Sequence, residues 1–110
     1  MATWQDVCAF ADIPQRGART LPGPDGQIAV FRTATDTVFA TLDRCPHKGG
    51  PLSQGIVHGQ AVTCPLHNWV IDLESGEALK PDQGCVRRYP AKVENGRVLI
   101  VTVPALTEAA

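Results

Sequence analysis

Cys45-Pro46-His47-Lys48-Gly49-Gly50-Pro51-Leu52-Ser53-Gln54-Gly55 and, further on, Cys64-Pro65-Leu66-His67-Asn68-Trp69 are the stretches that decide how this chain is read. Each opens with a cysteine, follows it with a proline, and supplies a histidine within three residues. Thiolate and imidazole side chains so close together point to metal binding before disulfide formation. Pro46 and Pro65 hold φ near −65°, which narrows the conformations of each loop around its ligands. Gly49, Gly50 and Gly55 let backbone fold tightly against whatever is bound.

The sequence around these stretches reads as β-structure. Residues 27–33 and 37–43 are rich in Val, Ile, Thr and Phe, and Ala34-Thr35-Asp36 between them predicts a hairpin. Short strands are predicted at 61–63 and 69–73. Residues 88–94 and 97–102 flank Asn95-Gly96, the preferred pair for a two-residue type I′ turn. A turn is expected over 22–26 and a short helix over 3–10, ended by Asp12-Ile13-Pro14. Many short strands with Gly-bearing turns predict an all-β antiparallel sandwich or barrel. With 110 residues the chain makes a single domain, 1–110, with one modest core.

Composition excludes several functions. The net charge of −1 lacks the basic excess of a nucleic-acid binder. The best apolar run, 98–103, falls far short of the roughly eighteen residues of a membrane span. No basic n-region precedes an apolar h-region at the start, so a cytoplasmic location is expected. The sequence holds no G-x-G-x-x-G, P-loop or H-E-x-x-H, which leaves nucleotide and zinc-protease sites unsupported. Cys8 and Cys85 have no histidine neighbours and read as small buried apolar side chains. His58 reads as a solvent-exposed turn residue, Trp69 as a side chain packing over the second loop, and Lys48 as a surface charge.

Cys45, His47, Cys64 and His67 could bind one tetrahedral zinc, making the chain a zinc-stabilised, non-redox binding module. They could also bind a Rieske [2Fe–2S] cluster, with two cysteines on one iron and two histidines on the other. Structural zinc sites usually take like ligands from each turn, C-x₂₋₄-C and H-x₃₋₅-H. Here each loop offers one ligand of each kind, which suits two irons better.

The run C-P-H-K-G-G-P-L-S-Q-G followed by C-P-L-H-N-W-V-I-D-L-E-S-G-E-A resembles a Rieske protein. More narrowly it is similar to the small subunits of assimilatory NAD(P)H-dependent nitrite reductases, through His67-Asn68-Trp69, Asp72-Leu73-Glu74-Ser75-Gly76 and Pro81-Asp82-Gln83-Gly84-Cys85. Ferredoxins of ring-hydroxylating dioxygenases, the other Rieske reading, usually carry Trp and Gly where Leu66 and Asn68 stand here.

The resemblance implies a Rieske-type fold with ligand loops at 45–55 and 64–69, and a [2Fe–2S] cluster held by Cys45, His47, Cys64 and His67. It implies a nitrite reductase large subunit as partner, carrying FAD, a [4Fe–4S] cluster and sirohaem, and reducing nitrite to ammonia. The small chain would carry electrons and would not be catalytic alone. Some small subunits of that family lack the four ligands; this one keeps them. High-potential Rieske proteins add a disulfide and two hydroxyl donors. Those positions fall on Gly50 and Leu66, and on Trp69 and Ile71, so a potential of roughly −150 to 0 mV is expected.

Overall fold

Asn95 and Gly96 both have positive φ, 53° and 76°, the requirement of a type I′ turn. They join β9 (Ala91–Glu94) to β10 (Arg97–Ile100), paired in the register Arg97↔Glu94 to Ile100↔Ala91. The computed structural model describes residues 4–24, 26–45, 50–65, 68–79 and 84–101. Before this hairpin come β1 (Gln5–Ala9), β2 (Ala18–Gly23), β3 (Gly26–Arg32), β4 (Val38–Leu42), β5 (Ile56–His58), β6 (Ala61–Thr63), β7 (Val70–Asp72) and β8 (Arg88–Tyr89). The only helical pieces among the described residues are 3₁₀ turns at Phe10–Asp12 and Leu52–Gln54. Strands pair antiparallel in three sheets, ordered β1-β10-β9, β2-β3-β4-β8 and β5-β6-β7. The expected all-β antiparallel architecture is the observed one.

β3 is the wall that organises the core. Its run Ile28-Ala29-Val30-Phe31 is fully buried on both faces. Ala29 and Phe31 pack with Cys45, Leu52, Val57, Val62, Cys64, Ile71, Leu73 and Val86. Ile28 and Val30 face the other way, into a cluster with Cys8, Ile13, Val38, Ala40, Tyr89, Val98 and Ile100. The two-residue side-chain period of a strand thus splits one apolar run between two clusters. One cluster supports the N- and C-terminal strands; the other lies beneath the two Cys/His stretches.

Two local expectations are corrected and a third is met. Residues 5–9 form a strand, not a helix, because they pair with β10 from the far end of the chain. A bulge between Asp6 and Cys8 adjusts the register, and the Arg97 guanidinium grips the Asp6 carboxylate at 2.7 Å. The turn expected over 22–26 is where the β2–β3 hairpin reverses, between the paired residues Gly23 and Gly26. Pro22 is tolerated because β2 is an edge strand that needs no further N–H donor. The single strand expected over 88–94 is broken at Pro90. β8 pairs with β4, β9 pairs with β10, and the Pro90 carbonyl accepts from the Val101 amide at 3.0 Å. A proline has no N–H to continue a ladder, so the chain changes sheets there.

Candidate metal centre

The first Cys/His stretch leaves β4 through a backbone corner. The Asp43 amide donates to the Gln27 carbonyl at 2.7 Å, and the Arg44 amide donates to the Leu42 carbonyl at 2.8 Å. The Asp43 carboxylate then reaches across the loop. Its two oxygens accept from the Ser53 amide and the Ser53 hydroxyl, both at 2.7 Å. Within this clasp the Cys45 amide donates to the Gly50 carbonyl at 2.8 Å. Leu52, fully buried at the start of its 3₁₀ turn, anchors the far end.

The second stretch connects β6 to β7 and closes in the same way. The Cys64 amide donates to the Trp69 carbonyl at 2.6 Å, again spanning five residues. Asn68 sits at φ 59°, a left-handed conformation that asparagine and glycine tolerate best. A glycine at this position would therefore suit the same loop, so Asn68 is a weak mark of subfamily. The two loops meet at Gly55. A Cβ there would overlap the Thr63 carbonyl oxygen, one residue before Cys64. Its φ of −81° is ordinary, so glycine is needed for close approach rather than for a special dihedral.

Cys45 and Cys64 are both buried, both without a disulfide, and both in the same apolar cluster. Trp69, partly buried, packs against that cluster as the sequence implied. His47 and His67 lie outside the described residues, as do Lys48, Leu66, Lys80 and Asp82. Two cysteines outside any disulfide, buried in one apolar cluster by two loops of the same closure, suit soft metal ligation. A [2Fe–2S] centre fits that donor set: when bound it supplies reversible one-electron transfer. The chain's own part is to hold the two sulfur-bearing residues at fixed backbone positions and keep water from their buried side.

The other singled-out residues separate clearly. Cys8 is buried, and desolvation pushes its thiol above the ordinary value. Cys85 is exposed, which corrects the expectation of a buried side chain; it sits on a two-residue bridge to Glu77. Neither forms the disulfide that two leftover cysteines could make. His58 is exposed as expected, but its Nε2 lies 2.6 Å from the Thr63 hydroxyl. Asp43, Ser53 and the spacing role of Gly55 were not read from the sequence. An Asp two residues before a ligand-type cysteine, with Ser in the following turn, is the only local signal for them.

The profile of the Rieske-like [2Fe–2S] domain matches residues 3–101. The chain belongs to the Rieske-like [2Fe–2S] family. It is 31% identical to the ferredoxin component of the naphthalene 1,2-dioxygenase/salicylate 5-hydroxylase systems of Ralstonia sp., over 88% of this chain and 93% of that one. Its fold superposes with a TM-score of 0.84 on a structure assigned as the small subunit of an NADH-dependent nitrite reductase of Mycobacterium tuberculosis. That match covers 96% of this chain and 99% of the other at 27% identity. A chain in the complex of reduced oxygenase and oxidised ferredoxin of carbazole 1,9a-dioxygenase matches at a TM-score of 0.78 and 26% identity, covering 88% and 100%. The chain is thus a Rieske [2Fe–2S] electron-transfer domain of the oxidoreductases. No helix among the described residues is long and apolar enough to cross a membrane.

Proposed function

We propose that this Rieske domain is the electron-transferring small subunit of an NAD(P)H-dependent nitrite reductase, with its [2Fe–2S] cluster held by Cys45, His47, Cys64 and His67. The observation that carries the reading is the end-to-end match to a nitrite reductase small subunit, 96% of one chain on 99% of the other. The Asp72–Gly76 and Pro81–Cys85 features of the sequence point the same way. The partner is the large subunit, which carries the nucleotide, sirohaem and nitrite chemistry; this chain is inactive alone and works in the cytoplasm. A second reading, the ferredoxin component of a ring-hydroxylating dioxygenase, is favoured by the 31% identity to the Ralstonia ferredoxin.

One experiment separates these readings. The tagged chain is purified anaerobically from its native extract, and iron, acid-labile sulfide, zinc and sirohaem are assayed in the eluate. Two irons and two sulfides per chain, with a sirohaem-bearing partner, are expected for the proposed function. A free monomer that reduces an aromatic-ring oxygenase would establish the ferredoxin instead. One zinc without sulfide would overturn both. Film voltammetry adds an independent check: a midpoint above about +200 mV, high in the Rieske range, would contradict the reading of Gly50, Leu66, Trp69 and Ile71 as lacking disulfide and hydroxyl donors.

A further inference from the structure

The small sheet β5-β6-β7 has one buried face and one open face. Antiparallel register places Val57, Val62 and Ile71 in one cross-strand row, and the Ile71–Ala78 bridge extends that row to a fourth segment. This row belongs to the apolar cluster that holds Cys45 and Cys64. Neighbouring residues along each strand must point the other way. The open face therefore carries two rows: Ile56, Thr63, Val70 and Leu79, then His58, Ala61, Asp72 and Glu77. The 2.6 Å contact between His58 and Thr63 confirms that these side chains share a face.

The two rows differ in chemistry. The row nearer the cysteine-bearing loops is apolar but for Thr63. Thr63 directly precedes Cys64 and Val70 directly follows Trp69, while Ile56 and Leu79 at the row's ends are 70% and 45% exposed. Ile56 is the most exposed large apolar side chain among the described residues. The far row and the turn beyond it are acidic: Asp72, Glu74 and Glu77. None of these takes part in an ion pair among the described residues. Arg88 lies close to this turn through its aliphatic stem, near Gly76, without pairing to the carboxylates.

We infer that the open face of β5-β6-β7 is a docking surface for the redox partner, whose matching face presents an apolar ridge flanked by Lys or Arg. Surplus carboxylates beside exposed aliphatic side chains define that chemistry, with charge steering encounter and apolar burial holding the complex. A partner seated there lies alongside both cysteine-bearing loops. The inference rests on the proposed nitrite reductase reading and names the surface that reading requires.

The test uses the cluster-loaded full chain, titrated with the nitrite reductase large subunit of the same organism. Ile56→Ser and Leu79→Ser are each expected to weaken Kd about tenfold, the loss of most of one aliphatic contact. The double variant Glu74→Lys/Glu77→Lys is expected to weaken binding at low salt and to lose the wild-type salt dependence. Visible spectrum and midpoint potential stay at wild-type values in all three, and Val93→Ser, on a different sheet, binds as wild type. Wild-type binding with every variant within twofold would overturn the inference and leave the functional reading standing. No binding by the wild type itself would overturn the functional reading and the inference with it. Self-association of the wild type through this face, abolished by Ile56→Ser, would assign it to a second copy instead.

Discussion

Gly55→Ala is the sharpest test of how the two ligand loops are held together. The alanine Cβ would overlap the Thr63 carbonyl oxygen, and would also lie 3.0 Å from Val62 Cγ2 and 3.1 Å from the Leu52 carbonyl oxygen. Two of these three neighbours are backbone atoms of well-packed segments, so neither can rotate away. Relief requires the end of the first loop to move off β6, which separates the loop of Cys45 from that of Cys64. Overpacking of this kind costs about 1–3 kcal/mol, and backbone on two sides places this site at the upper end. At about 4–8 °C per kcal/mol, a loss near 3 kcal/mol lowers the apo-protein Tm by roughly 12–24 °C. Gly59→Ala is the control. Its φ is +57° but nothing lies within 4 Å of the added carbon, so only the dihedral penalty of about 1 kcal/mol applies. Differential scanning calorimetry on both apo variants, with iron content after anaerobic reconstitution, gives the comparison. A Gly55→Ala protein that melts no lower than Gly59→Ala and loads two irons would refute the close-approach argument.

Ser53→Ala and Asp43→Asn are each expected to cost about 1–2 kcal/mol in urea unfolding, since both weaken hydrogen bonds to a carboxylate. A double-mutant cycle is expected to show strong coupling, and additive losses would mean that the two residues act separately. In the cluster-loaded protein, Cys85 is expected to react rapidly with a thiol reagent while Cys8 reacts only on unfolding, because the one is exposed and the other is buried with its thiol pKa raised; quantitative labelling with mass spectrometry checks this. Hydrogen bonding from Arg97 holds the Asp6 carboxyl below its ordinary value. A depressed folded-state pKa gives stability that is present above the unfolded-state value and lost as pH falls through the folded one. Arg97→Leu is therefore expected to flatten the acid limb of the stability profile slightly, an effect that salt removes because the pair is exposed.

Local chemistry was legible where it was self-contained. Asn95-Gly96 declared its turn because both residues accept positive φ, and the Cys/His stretches declared loops because proline and glycine leave few alternatives. The short apolar run Ala61–Thr63 predicts the strand it forms. What escaped was settled by distant partners. Residues 5–9 carry no strong strand pattern of their own; pairing with β10 overrides their local preference. Pro90 marked a break only once β8 and β9 were seen to join different sheets. Cys85 is exposed because its neighbour Val86 takes the inward place in the first cluster and the extended chain turns Cys85 the other way, which composition cannot show. Ile71 is fully enclosed, so a tyrosine there would overpack the core.

Both cysteine-bearing loops are closed by the cysteine's amide, not by its sulfur. The two hydrogen bonds, Cys45 to Gly50 and Cys64 to Trp69, would survive with any residue but proline at either position. Shape and redox capacity are therefore written in different atoms of the same residue. A lineage of such chains can surrender its metal ligands one mutation at a time and still keep the loops, the sheet beneath them and the surface offered to a partner. Redox function is the more easily lost inheritance, and an assembly role can outlive it. The same separation serves the engineer: serine at positions 45 and 64 removes the sulfurs while leaving the main-chain closure in place, a scaffold on which other ligand sets can be tried.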